Sequence, residues 1–126
     1  MSKPGLVHVV DDNADIRKML ALVLQSHGYT VHVHDSGAAY LKAPATQWPH
    51  VMLLDVRMPG MSGLELHAHI KASGNDIPVI FMSGESQPHE TQAASNSGAV
   101  HFLWKPFNTR DMLAVIDEVL SEAPPH

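Results

Sequence analysis

Apolar runs in this chain end, one after another, on residues that can do chemistry. Leu6-Val7-His8-Val9-Val10 runs into Asp11-Asp12, and Val51-Met52-Leu53-Leu54 into Asp55. Ile77 to Met82 leads to Ser83-Gly84, and Ala99 to Leu103 to Trp104-Lys105. Three carboxylates gathered at one sheet edge repel one another: at an effective dielectric near 20, two charges about 5 Å apart cost roughly 3 kcal/mol. Such a cluster is tolerable where a cation belongs. Hard oxygen donors, with no His or Cys at the strand tips, select Mg²⁺ or Mn²⁺ over zinc. Mg²⁺ takes one or two carboxylates and completes its shell with waters and a phosphoryl oxygen. Ser83 adds a hydroxyl donor, Lys105 an ammonium, and Gly84 leaves room for a bulky group. A carboxylate nucleophile, a metal, a hydroxyl and a lysine are the parts for phosphoryl transfer onto Asp55, with the metal and Lys105 neutralising charge on the equatorial oxygens. A lone aspartate is more often a cap and a lone lysine a solvated surface group. The ordered set, each member at the end of its own run, is the specific signal.

For these residues to meet, the apolar runs must be neighbouring strands with their ends at one edge. Val51 to Asp55 reads as a strand buried on both faces, and Met58-Pro59-Gly60 stops it. Leu6 to Val10 is a first strand and Thr30 to His34 a β-branched second. Ile16, Met19, Leu20, Val23 and Leu24 fall at helical spacing, with Asp12 or Asn13 as cap and Gly28 as stop. Ser36 to Lys42 and Ser62 to Ala72 predict two further helices. Gln87 to Ser97 has helical length but little apolar surface. Asn108 caps a closing helix, with Asp111 in capping-box position, and residues 123–126 look like a tail or linker stub after a domain spanning 1–122. Five strands alternating with five helical segments imply an α/β fold with a doubly wound, flavodoxin-like parallel sheet. The order 2-1-3-4-5 suits five strands and opens its ligand crevice between strands one and three.

Composition sets the outer bounds. A chain of 126 residues, 44% apolar, holds one domain with a real core. With no cysteine, there is neither a disulfide framework nor a thiolate metal site, which suits a reducing, cytoplasmic setting. The start lacks the apolar core of a signal peptide, and no stretch approaches the roughly 18 apolar residues of a membrane span. A net charge of -5 argues against direct nucleic-acid binding by this domain.

The motifs Val10-Asp11-Asp12, Leu54-Asp55-Val56-Arg57-Met58-Pro59-Gly60-Met61-Ser62-Gly63, Met82-Ser83-Gly84 and Trp104-Lys105-Pro106-Phe107 resemble the receiver domain of two-component response regulators, over essentially the whole chain. Arg57-Met58-Pro59 and Lys105-Pro106-Phe107 look most like the FixJ-type regulators, whose receivers usually precede a LuxR-like helix-turn-helix DNA-binding domain. The resemblance implies a signalling switch that catalyses its own phosphorylation and dephosphorylation rather than a turnover enzyme. Asp55 would accept the phosphoryl group from a sensor histidine kinase. Asp12, Asp55 and the backbone carbonyl of Arg57 would hold Mg²⁺, with Asp11 assisting through water. Ser83 and Lys105 would bind the phosphoryl group, and Phe102 would be the aromatic rotamer that follows the serine inward. The signal would leave through the face of the fourth helical segment, the fifth strand and the closing helix, pairing two receivers as a homodimer. The fourth segment departs from the family pattern, because Thr91 to Ser97 offers only two alanines as apolar surface.

Ten histidines invite a metal reading. His32 and His34 share a strand face, but His67 and His69, two apart on a helix, do not. No third ligand sits at an obvious spacing, so the histidines read as scattered surface residues. Arg57 and Glu85, each two residues past a strand tip, either flank the pocket as a pair or are solvated side chains worth little. A haloacid-dehalogenase-type phosphatase would want an acid where Arg57 stands, and an FMN carrier a Ser/Thr-rich loop where Asp11-Asp12 would repel phosphate.

Overall fold

The computed structural model describes residues 5–43, 50–84, 92, 96 and 98–121. Five strands, β1 (Leu6–Val10), β2 (Thr30–His34), β3 (His50–Asp55), β4 (Val79–Ser83) and β5 (His101–Trp104), form one sheet. All pairs are parallel, in the order β2-β1-β3-β4-β5, as expected. The helices are α1 (Ala14–Ser26), α2 (Gly37–Lys42), α3 (Gly63–Ala72) and α4 (Thr109–Ser121). Of the polar segment 87–97 only Gln92 and Asn96 are described, so the expected fourth helical segment lies mostly outside the described residues, as do Glu85 and the tail 123–126.

Strand alternation divides the core in two. Val7, Val9, Val51, Leu53, Ile80 and Met82 face α1 and α4, meeting Leu20, Leu24, Met112 and Ile116. Val10, Met52, Leu54 and Phe81 face the other way, against Leu66 and Ile70 of α3. Because helices cover both faces, β1, β3 and β4 are buried along their whole described length except for His50, and their sequences are mainly apolar, with His8 the one polar residue inside a run. Met19, expected on the buried stripe of α1, is instead 44% exposed, while Leu20 and Leu24 carry the contact.

The ends of the elements follow from local hydrogen bonding. Asn13, not Asp12, caps α1, its side chain accepting from the N–H groups of Asp15 and Ile16 at 2.9 and 3.2 Å. Gly28 then takes a φ of 90°, which stops the helix. Ser62 and Glu65 form a reciprocal capping box at α3. At α4 the expected pairing with Asp111 gives way to a bond from the N–H of Arg110 to the Asn108 side chain, 2.7 Å. The strand expected from Ile77 begins two residues later, because the Ile77 N–H turns aside to the Asn75 side chain at 3.0 Å and Pro78 has none to give. The strand expected from Ala99 likewise starts at His101.

One close approach fixes the loop after β3. The first residue of α3, Gly63, lies so near the main chain that a Cβ there would stand 2.1 Å from the carbonyl oxygen of Asp55. Its N–H donates to Val56 O at 2.9 Å.

Candidate functional site

The carboxyl ends of β1, β3, β4 and β5 deliver Asp11, Asp12, Asp55, Ser83 and Lys105 to one edge of the sheet. Parallel pairing is the cause: Val10 pairs with Leu54, Asp55 with Met82, and Ser83 with Trp104, so successive strand ends fall in step. One carboxylate oxygen from each of Asp11, Asp12 and Asp55 lies within 4.8 Å of the others. Asp11 is fully buried and Asp55 is 6% exposed, whereas Asp12 faces solvent.

Lys105 supplies the cation. Its Nζ donates to Asp11 Oδ2 at 2.9 Å and lies 3.7 Å from Asp55 Oδ2. The backbone N–H of Lys105 donates to Ser83 O at 2.8 Å, tying the lysine to the end of β4. Asp11 Oδ1 also accepts from the N–H of Asn13 at 2.9 Å. Asp55 is less well compensated, because its nearest backbone donor, the N–H of Arg57, is 3.4 Å away. Burial, and then the charge of Asp11, push the Asp55 carboxyl up to about 7 against the pull of Lys105 and the Arg57 N–H. A group held there is short of positive charge, and the donor set, three carboxylates beside the backbone of Arg57, suits a hard divalent ion. The residues present therefore fit Mg²⁺.

The other expected residues that are described lie on the same strands or just past their ends. Ser83 is buried at the β4 tip, and Gly84 is exposed with ordinary contact room toward Lys105. Arg57 is exposed. Phe102 is half-buried on the α3 side of β5, its ring 6.4 Å from Phe81 and 4.8 Å from Trp104. Trp104 itself is 49% exposed. Arg17 was not foreseen: its guanidinium donates to Asp11 O at 2.8 Å and so steadies the end of β1 from the first turn of α1. The two are six positions apart, and no motif flags that contact. A cleft of about 340 Å³, lined by Ile16, Met19, Lys105, Pro106 and Phe107, opens beside the lysine.

The family model of the response regulator receiver domain matches residues 7–117. The chain belongs to that family. Among curated proteins, this receiver is 40% identical to the transcriptional regulatory protein FixJ of Azorhizobium caulinodans over 87% of the chain and 52% of FixJ. It is 38% identical to the DNA-binding transcriptional regulator NtrC of Escherichia coli K12 over 93% of the chain and 25% of NtrC. The receiver thus spans between about a quarter and about half of these relatives. The crystal structure titled FixJ-N superposes with a TM-score of 0.89 at 33% identity, covering 98% of this chain and 99% of that one. The chemotaxis protein CheY4 of Vibrio cholerae follows at 0.83 and 31%, over 93% and 99%. No helix among the described residues is long and apolar enough to cross a membrane.

Proposed function

We propose that Asp55 accepts a phosphoryl group from the phosphohistidine of a sensor histidine kinase, and that the receiver, residues 1–122, acts as a switch thereby. The observation that carries this reading is the buried carboxylate of Asp55, grouped with two further acids and 3.7 Å from Lys105. An Asp55 oxygen attacks phosphorus as the bond to the donor imidazole breaks. Asp12, Asp55 and the Arg57 carbonyl would hold Mg²⁺ with help from Asp11, and the ion would supply positive charge to offset that on the phosphoryl oxygens. Lys105 turns part of its charge from Asp11 to the new phosphoryl group, and the Ser83 hydroxyl donates to it. The apolar cleft of Ile16, Met19, Pro106 and Phe107 gives the donor protein a place to rest beside the lysine.

Output follows from the movement of Ser83. Phe102, packed between Phe81 and Trp104, follows the serine inward. The face of β5 and α4 then favours a symmetric pairing of two receivers. Any DNA contact belongs to an attached output domain, since the charge of this one is -5. Incubation with acetyl phosphate and Mg²⁺ should add one phosphoryl group by mass spectrometry, absent in Asp55→Asn. Full labelling of that variant would overturn the assignment.

A further inference from the structure

Strand register assembles four histidines on the α2 side of the sheet. His8 of β1 is the direct Cα partner of His32 in β2, Val10 pairs with His34, and Leu6 pairs with His50 of β3. Residues i and i+2 of a strand share a face, so all four imidazoles project to one side. The expectation of scattered surface histidines is therefore corrected twice. His8 is only 2% exposed, at the middle of this cluster, and His67 is buried against Phe81, with ring centroids 5.5 Å apart. The third ligand missed along the sequence comes from the neighbouring strand.

The distances within the cluster resemble those of a shared ion. His8 Nδ1 lies 3.1 Å from His34 Nε2, and the His8 centroid is 5.3 Å from that of His34 and 5.6 Å from that of His32. Tetrahedral zinc, with bonds of about 2.0–2.1 Å to imidazole, holds its ligating nitrogens about 3.3 Å apart and the ring centroids about 5 Å apart. We propose that His8, His32 and His34 form a second metal site, for a borderline divalent ion with zinc foremost, distinct from the carboxylate pocket. Among the described residues only the acids already bring three ligand atoms within 4.8 Å. The histidine site closes by rotation of His32, whose exposed side chain is free to turn without disturbing the core. The proton now shared between His8 and His34 moves to an outer ring nitrogen when the ion takes its place.

The surroundings favour the ligand form of the rings. Burial first, and then the charges of His34, His32 and His50, lower the pKa of His8 to about 4. Burial and His32 lower that of His34, against the opposing pull of Asp35. Tyr40 of α2 stands edge-on to both rings at 5.3 and 5.2 Å and roofs the site, while His50, 6.3 Å from His8, borders it. Nitrogen donors of this kind prefer zinc, copper or nickel to Mg²⁺. The two sites therefore sort ions by chemistry.

The test is calorimetric titration of the chain with Zn²⁺ at neutral pH, with Mg²⁺ present in excess to occupy the acids. Wild type should bind one Zn²⁺ at micromolar affinity or better. His32→Gln and His34→Gln should each weaken it by no less than the roughly ten- to hundredfold that loss of an outer-shell partner costs. Asp12→Asn should leave Zn²⁺ binding unchanged while losing its response to Mg²⁺. Both histidines are at least partly exposed, so these variants keep the fold, which circular dichroism checks. Visible absorption after Co²⁺ replacement should show tetrahedral coordination in wild type and lose it in His32→Gln. Unchanged affinity in His32→Gln, loss of the zinc response in Asp12→Asn, or no saturable Zn²⁺ binding by wild type would each overturn the proposal.

Discussion

Burial and three neighbouring imidazoles keep His8 neutral, its pKa lowered from 6.5 to about 4. The unfolded chain takes up a proton near pH 6.5 that the folded chain refuses until about pH 4. The stability this histidine preserves is therefore complete above pH 6.5 and is lost as pH falls through that window. Linkage puts the loss at about 2 kcal/mol between pH 7 and pH 5. Asp55 works in the opposite direction: its carboxyl is raised to about 7, so its contribution is complete below pH 3.8 and lost as pH rises. Comparing urea melts of wild type with those of His8→Leu cancels Asp55 and the other shared groups that do not interact with His8. The stability difference should shift by that amount between pH 7 and pH 5, and a constant difference would mean that His8 titrates normally in the fold. Asp11, Asp12, Asp55, Ser83 and Lys105 were legible in the sequence because each follows an apolar run, and a strand that must end at a sheet edge carries its last residue there. His8 was not, because its surroundings depend on which strand lies alongside and in what register. That is set by packing and leaves no mark at a fixed spacing.

Among the elements, α3 depends most visibly on its first turn. Ser62 accepts from the N–H of Glu65 at 3.1 Å, and Glu65 accepts from the N–H of Ser62 at 3.3 Å, satisfying two donors that the helix leaves unpaired. Ser62→Ala should cost about 1 kcal/mol of stability in chemical denaturation. A variant equal to wild type would show that the cap is replaced by solvent at no cost. The comparison with α4 explains why the capping box expected there gives way. Asn108 and Asp111 have the same spacing, but aspartate is one methylene shorter than glutamate, and the Asn108 side chain pairs with the N–H of Arg110 instead. Helices and strands were readable from period and turn residues. The exact start of β4 was not, since it depends on whether one N–H at Ile77 turns toward Asn75 or toward a strand.

At the scale of the whole molecule, the acid cluster should make stability depend on a divalent cation. Folding holds Asp11, Asp12 and Asp55 together, and unfolding separates them. An ion that binds only the folded form, at about a hundred times its dissociation constant, adds roughly 2.7 kcal/mol. Thermal melts of wild type should rise with Mg²⁺ accordingly, while Asp12→Asn should begin more stable in its absence and respond little to its addition. Equal shifts in the two proteins would place the ion elsewhere. The sheet order was readable in advance because five alternating units leave few untangled arrangements.

Gly63 has no side chain to offer a ligand, yet the fold gives it no freedom. With 2.1 Å between a would-be Cβ and the carbonyl of Asp55, every other amino acid must push apart the strand end and the helix that follows it. In a saturation library scored for phosphorylation, this position should look as intolerant as Asp55 itself. The same library scored only for soluble, protease-resistant protein would part them. Asp55 should then accept asparagine and other small replacements, while Gly63 accepts none. A broad set of tolerated residues at 63 in that second screen would mean that the loop yields where the structure shows it pinned. One silent position would thus be read as catalytic by any survey that measures activity alone.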